Sequence, residues 1–249
     1  MTDKRPSAEA RRVFFKQAAQ SALPLVGLMS APAAAAGAPQ VASMPSTSGA
    51  VTSPPPTGYM SLGKDEAAFV EALVNVMCPA DAMTPDGVAC GLASFIDRQL
   101  AGAFGKGAKL YDHGPWLVGK PEHGYQLPMT PEQHFKAGVA IVDDVCQTRW
   151  QKRFERLPAT VADSFLTELA AGRVTDDRLP LVAWFNELVY PLFAQGCYAD
   201  PIYGGNADKV FWKMIGYPGL PATHTVDMVR YRGLPYPGAT APRSIVDFS

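Results

Sequence analysis

Four cysteines, Cys78, Cys90, Cys146 and Cys197, are the most obvious carriers of chemistry in this 249-residue sequence. An even number of cysteines in an oxidising compartment suggests disulfides. Three connectivities are open. Cys78 with Cys90 would close a short loop through Pro79-Ala80-Asp81 and Pro85-Asp86-Gly87, and Cys146 with Cys197 would then tie two later helices. Buried free thiols are the alternative. Haem attachment needs Cys-x-x-Cys-His, and that run is missing. So are the closely paired Cys or His residues of zinc and iron–sulfur sites.

Other candidates are weaker. Neither a Gly-x-Ser-x-Gly elbow nor a Gly-x-x-x-x-Gly-Lys-Ser/Thr loop occurs. Gly102-Ala103-Phe104-Gly105-Lys106-Gly107 is glycine-rich, but it follows a helical pattern rather than a strand, which argues against a phosphate cradle. Asp143 and Asp144 are sequence neighbours on a helix and point to different faces, so they read as solvated charge. Asn186 and Glu187 fall inside an apolar run, where a buried carboxylate would need a partner. His134 is expected to face solvent in a first helical turn, and His224 stands alone near the C-terminus. No nucleophile, base and oxyanion donor assemble from these residues.

One segment is dense in turn chemistry. Gly196-Cys197-Tyr198-Ala199-Asp200-Pro201-Ile202-Tyr203-Gly204-Gly205-Asn206 leads to Trp212 and then to Ile215-Gly216-Tyr217-Pro218-Gly219. Asp-Pro opens a turn, Gly204-Gly205 permits positive φ, and Asn206 is a helix cap. The reading is a rigid double turn between two helices that displays Tyr198, Tyr203 and Tyr217. It is either a packed turn or an interface epitope.

Helices must position these residues. Residues 64–78 place Phe69, Val70, Leu73, Val76 and Met77 on one stripe, with Asp65 and Glu66 at the positive dipole end and Pro79 as the stop. A second helix is expected from an Asp86 cap, with Val88, Leu92, Phe95, Ile96 and Leu100 inward. Gly102 to Gln126, holding His113 and His123, reads as an irregular excursion. Thr130-Pro131-Glu132-Gln133 is a capping box opening a third helix, with Phe135, Val139, Val142, Cys146 and Trp150 on one face. A fourth follows Pro158, with Val161, Phe165 and Leu169, and ends at Gly172. The fifth, Leu179 to Phe193, is apolar almost all round and should be the buried centre, with Pro191 kinking or ending it. Asn206 caps a short sixth carrying Val210, Phe211, Met214 and Ile215. Proline and glycine then punctuate residues 217–249, which suggests an extended arm anchored by Tyr217, Tyr231, Tyr236 and Phe248. The expected class is all-α: about six helices, long Gly/Pro-rich loops and an extended C-terminal arm.

The N-terminus carries an address. Ala10-Arg11-Arg12-Val13-Phe14-Phe15-Lys16 is a twin-arginine pattern, with Arg11, Arg12, Phe14 and Lys16 as its motif. A diluted apolar stretch from Gln17 to Ser30 follows, too short to span a bilayer, and then Ala31-Pro32-Ala33-Ala34-Ala35-Ala36, which suits a signal peptidase. Acidic residues are missing between Glu9 and Asp65. Residues 1–36 are thus expected to be an export signal and 37–58, rich in Ser and Pro, a linker. A helical domain over 59–216 and the arm over 217–249 follow. The net charge of −1 gives no footprint for nucleic acid. No later run reaches membrane-spanning length, so membrane association would have to come through a partner.

Asp200-Pro201-x-Tyr203-Gly204-Gly205-Asn206 with Trp212 and Ile215-Gly216-Tyr217-Pro218-Gly219 resembles the signature of the gluconate 2-dehydrogenase subunit 3 family. Phe95-Ile96-Asp97-Arg98-Gln99-Leu100 and the Pro79 loop are similar to family stretches too, and the resemblance covers about residues 60–220. Cys78 and Cys197 depart from the family form, which would make disulfides a subgroup feature. The resemblance implies a small subunit without a cofactor of its own, in a membrane-bound complex. Its partners would be an FAD-containing flavoprotein large subunit and a multi-haem cytochrome c subunit carrying electrons to ubiquinone. The implied location is the periplasm, at the outer face of the cytoplasmic membrane. A flavoprotein acquires FAD in the cytoplasm, so a large subunit without its own signal would travel on the Arg11-Arg12 signal of this chain. A stand-alone periplasmic enzyme using Glu187, His113 or His123, and a free binding module using the Tyr-rich turn, are the alternatives.

Overall fold

Apolar stripes at helical spacing dictate how this chain buries itself, and the computed structural model bears out the all-α class. It describes residues 58–110, 114–117, 119–120, 127–220 and 224–248. The motif residues Arg11, Arg12, Phe14 and Lys16, the linker up to residue 57, His113 and His123 lie outside the described residues. Seven helices are seen among the described residues: α1 (Lys64–Met77), α2 (Leu92–Ala101), α3 (Pro131–Trp150), α4 (Ala159–Ala170), α5 (Leu181–Ala183, Trp184–Val189 and Tyr190–Tyr198 run together), α6 (Val210–Ile215) and α7 (Thr225–Arg230). Among the described residues only isolated bridges replace strands.

The first four helices follow their sequence signals closely. On α1, Phe69, Val70 and Leu73 are fully buried, joined by Val74. The capping box of α3 forms as expected: Thr130 Oγ1 accepts the Gln133 N–H at 3.3 Å and Gln133 Oε1 accepts the Thr130 N–H at 2.9 Å. The expected second helix starts later than Asp86. Asp86 caps a tight turn instead, accepting the Ala89 N–H at 2.8 Å, and Val88 is exposed. Aromatic rings join the helices: Phe69 meets Phe154 at 4.8 Å, and Trp150 meets Phe165 edge-on at 5.5 Å.

α5 is continuous but not uniform. Leu181–Ala183 is α-helical, Trp184–Val189 is π-helical and Tyr190–Tyr198 is α-helical again. The cause is legible in the side chains. Trp184 and Phe185, Leu188 and Val189, Leu192 and Phe193, and Gly196 and Cys197 are all buried, in pairs four residues apart. An α-helix of 3.6 residues per turn cannot keep such pairs on one side, whereas a wider π turn takes up the drift. Pro191 therefore neither ends nor breaks α5; the Tyr190 N–H reaches back to the Phe185 carbonyl just before it. The expectation that α5 is buried all round is corrected, because Asn186 and Glu187 occupy its exposed side. Asn186 Nδ2 donates to the Ala170 carbonyl at 3.0 Å.

Two buried carboxylates join distant segments. Asp97 on α2 accepts the N–H groups of Met60 (2.7 Å), Ser61 (2.8 Å) and Leu62 (2.9 Å), fixing the chain ahead of α1. Asp143 is buried rather than solvated, a second correction. It accepts from the Arg153 guanidinium at 2.8 and 3.0 Å and from the Phe154 N–H at 3.1 Å. Asp144 does face solvent, paired with Arg178 at 2.7 Å. The arm over 217–249 is not extended along its described part. It carries α7 and two 3₁₀ turns, and it folds back on the Gly-Gly-Asn turn.

Candidate functional site

The segment from Tyr198 to Gly219 is a scaffold of interlocked turns. Asp200 Oδ1 accepts the Ile202 N–H at 3.0 Å and starts a 3₁₀ turn, Pro201–Tyr203. Its Oδ2 accepts the Ile245 N–H at 2.9 Å and so holds the arm. Gly204, at φ 102°, lies against Arg98, and a Cβ on it would come within 2.9 Å of the guanidinium. A Cβ on Gly205 would stand 2.4 Å from the Gly196 carbonyl oxygen. Glycine is required at Gly205 by that backbone contact and at Gly204 by its left-handed φ.

Asn206 is completely buried. Its Nδ2 donates to the Ala199 carbonyl at 3.1 Å and its Oδ1 accepts the Phe211 N–H at 3.0 Å, joining the end of α5 to the start of α6. The Ala207 N–H donates to the Cys90 carbonyl at 3.0 Å, which ties the turn to the head of α2. Asn206, Asp208 and Lys209 all have positive φ, so this short stretch is strained. Trp212 is buried; its Nε1 donates to the Tyr198 carbonyl at 2.8 Å and its ring meets Tyr217 edge-on at 5.0 Å. Tyr198 itself points inward, and burial pushes its hydroxyl up to about 12.

Of the eight residues read as an interface, Asp200, Gly204, Gly205, Asn206, Trp212 and Tyr198 therefore build the turn from within. Tyr203 and Tyr217 are exposed, at 52% and 43%. The structure also exposes Ile202, Ile215, Val246 and Phe248, apolar side chains 45–55% exposed that the sequence reading did not count in the interface. The arm belongs to the same surface, since Lys209 Nζ binds both the Pro242 carbonyl and Asp247. The signal for this rim was present in Ile202 and the Ile245-Val246 pair, apolar residues in stretches without helical periodicity, and in Ile215 at the last position of α6.

The remaining chemistry-bearing residues do not converge. All four cysteines are buried free thiols, and neither of the expected disulfides is formed in this structure. Cys146 has Asp143, Arg149 and Glu155 as its charged surroundings, and burial pushes its thiol up to about 12. Burial, and then the charge of a Cys78 thiolate, push the Cys197 thiol above its ordinary range. His134 is buried, not solvent-facing, and burial pushes its imidazole down to about 4. Lys106 of the glycine-rich run binds Glu132 rather than offering itself to an anion. With help from Ser61 and Lys136 it holds Glu132 down to about 2. An open groove beside α1 is lined by Glu71, Asn75 and Asp86. Each already accepts an internal hydrogen bond, from Tyr59, Val88 and Ala89. Among the described residues, no three of His, Cys, Asp and Glu gather in a metal-holding group, and no helix is long and apolar enough to cross a membrane.

The family profile described as Gluconate 2-dehydrogenase subunit 3 matches residues 64–219, from the first residue of α1 to the glycine that closes the turn scaffold. The chain belongs to the gluconate 2-dehydrogenase subunit 3 family. No curated protein and no solved structure matches it. In this member of the gluconate 2-dehydrogenase subunit 3 family, the matched region contains the whole helical core and the Gly-Gly-Asn turn. The arm that completes the apolar rim lies beyond it.

Proposed function

We propose that this chain is the non-catalytic small subunit of a membrane-bound gluconate 2-dehydrogenase-type complex facing the periplasm. It stabilises the FAD-containing large subunit and carries it through the twin-arginine pathway on the Arg11-Arg12 signal. A multi-haem cytochrome c subunit takes the electrons onward, and membrane association comes through the partners. The observation that carries this reading is the use made of the family signature. Its polar and glycine residues are hydrogen-bonded or packed inside the chain. What they present outward is a rigid apolar rim with Tyr203 and Tyr217. Preorganised aromatic and aliphatic side chains on a stiff turn suit protein–protein contact, because little conformational entropy remains to be lost on binding.

The test is co-expression of the full chain with a flavoprotein large subunit of the gluconate 2-dehydrogenase type. Arg11→Lys with Arg12→Lys should leave the flavoprotein, loaded with FAD, in the cytoplasm. A large subunit that still reached the periplasm would end the escort role. Sugar-acid oxidation by the purified chain alone, with a dye acceptor, would end the non-catalytic reading.

A further inference from the structure

Cys78 and Cys90 lie at the two ends of one loop, and their thiols converge. Cys78 closes α1 and Cys90 precedes α2. Both sulfurs approach the same acceptor, the Pro85 carbonyl, at 3.8 and 3.6 Å. Each thiol is the largest influence on the other's titration, holding Cys78 below its ordinary range and raising Cys90. One sulfur is thus set up as the attacking thiolate and the other as the proton-bearing neighbour.

The loop is built to keep them there. Asp81 Oδ1 accepts the Met83 and Thr84 N–H groups at 2.7 and 2.8 Å. The Val88 N–H donates to Asn75 Oδ1 at 2.9 Å, and Gly87 presses so close to α1 that a Cβ would stand 2.3 Å from the Val74 carbonyl oxygen. The backbone on both sides of the thiols is pinned before any covalent bond forms. The twin-arginine route demands this order, since it moves a chain that has already folded in a reducing compartment.

We propose that Cys78 and Cys90 are a dithiol that closes into a disulfide once the chain meets an oxidising compartment, locking the loop between α1 and α2. Cys146 and Cys197 stay thiols. The oxidant is a disulfide of a carrier protein. Cys78 loses its proton and attacks one carrier sulfur, forming a mixed disulfide and releasing the other carrier sulfur as a thiol. Cys90 then loses its proton and attacks Cys78 Sγ, and the second carrier thiol leaves. Two cysteine thiols are oxidised by two electrons in all, and one carrier disulfide becomes a dithiol. From their shared place around the Pro85 carbonyl the sulfurs must close to about 2.0 Å, a movement made by side-chain rotation. Exposed residues from Ala80 to Met83 give the loop room to open for attack.

The setting of this step rests on the export reading, so the experiment has two arms. In the first, the purified full chain is exposed to oxidised glutathione, denatured, alkylated with iodoacetamide and mapped without reduction. Alkylated thiols should fall from four to two, and one linked peptide should join Cys78 to Cys90. Cys146→Ser should keep that peptide and Cys90→Ser should lose it; the wild-type map decides even if a variant does not fold. Four alkylated thiols, or a bond to Cys197 or Cys146, would overturn the proposal. In the second arm, chain recovered from cells is mapped in the same way. Closure by glutathione together with open thiols in the cell-derived chain would support the dithiol and count against export.

Discussion

The carbonyl oxygen of Gly204 stands 2.2 Å from the point where a Cβ on Gly91 would lie. Gly91 has φ 78° and Gly204 φ 102°, so both backbones favour glycine, and Gly91 is needed a second time because its bare Cα lets the Gly204 carbonyl approach. Through this contact the head of α2 seats directly on the signature turn. The neighbouring Cys90 carbonyl accepts the Ala207 N–H there. Gly91→Ala should cost about 3 kcal/mol, combining a left-handed alanine with a collision against backbone that cannot rotate away. Urea unfolding of the variant measures it, and a loss below about 1 kcal/mol would mean the two turns can separate without harm.

Gly138 on α3 makes room for Trp184. A Cβ there would sit 2.1 Å from the indole, whose Nε1 donates to the Phe135 carbonyl at 3.3 Å. Gly138→Ala should destabilise by about 1–3 kcal/mol through overpacking. Trp184→Phe should cost less in that background than in the wild type. A double-mutant cycle would show this as a coupling of about 1 kcal/mol or more. Additive losses would separate the two residues.

Asp97→Asn should weaken the segment ahead of α1. The carboxylate accepts three backbone N–H groups, and an amide turns a donor toward one of them. A loss of about 2 kcal/mol follows from one buried group left unsatisfied. Amide exchange at Ser61 and Leu62 should speed up while α4 is unaffected, and uniform exchange across the chain would contradict a local anchor.

Much of this was readable in advance, and the exceptions have physical causes. α1 to α4 announce themselves because one face of each is apolar and the caps are local. Asp143 was misread because its partners, Arg153 and Phe154, arrive only after the chain reverses at Gln151, which has φ 56°. His134 was misread because α3 is buried over a wide arc; Pro131, His134, Gly138 and Ile141 form a second inward row that looks polar until Gly138 is counted as a packing residue. Glu187 was expected inside because its run reads as apolar almost all round, whereas the buried pairs of α5 repeat every four residues and leave Asn186 and Glu187 between them on the exposed side. The turn was recognised as rigid, but which of its residues point outward depends on an arm that has no periodicity.

Acidification should destabilise the fold through His134. Its folded value, about 4, lies below its ordinary 6.5, so between these values the unfolded chain binds the extra proton. The contribution is complete above pH 6.5 and is lost as pH falls towards 4. Thermal midpoints at pH 7.5, 5.5 and 4.5 should drop in the wild type and drop less in His134→Phe, whatever that variant's stability at pH 7.5. Equal slopes would assign the acid sensitivity to other groups.

The outer rim and the inner scaffold should separate experimentally. Tyr203→Asp and Ile215→Asp change exposed positions and should leave stability within about 0.5 kcal/mol while abolishing copurification with the flavoprotein. Asn206→Ala should instead cost about 2 kcal/mol, because it strands the Ala199 carbonyl and the Phe211 N–H. Retained copurification by both Asp variants would move the contact elsewhere.

The π turn in α5 has a consequence for which length changes the chain can tolerate. Deleting a single residue between Trp184 and Val189 would let that stretch relax into an ordinary α-helix, because a π turn is an α-helix that has absorbed one residue more. Six residues at the wider turn sweep about the same angle as five at about 100° each, so Leu192, Phe193 and Cys197 would still face the core. The α-helical stretch Tyr190–Tyr198 holds no such reserve. A deletion there would rotate everything beyond it by about 100°, and the signature turn would lose its seat on the head of α2. A codon-scale deletion is therefore absorbed at one place in α5 and ruinous a few residues further on.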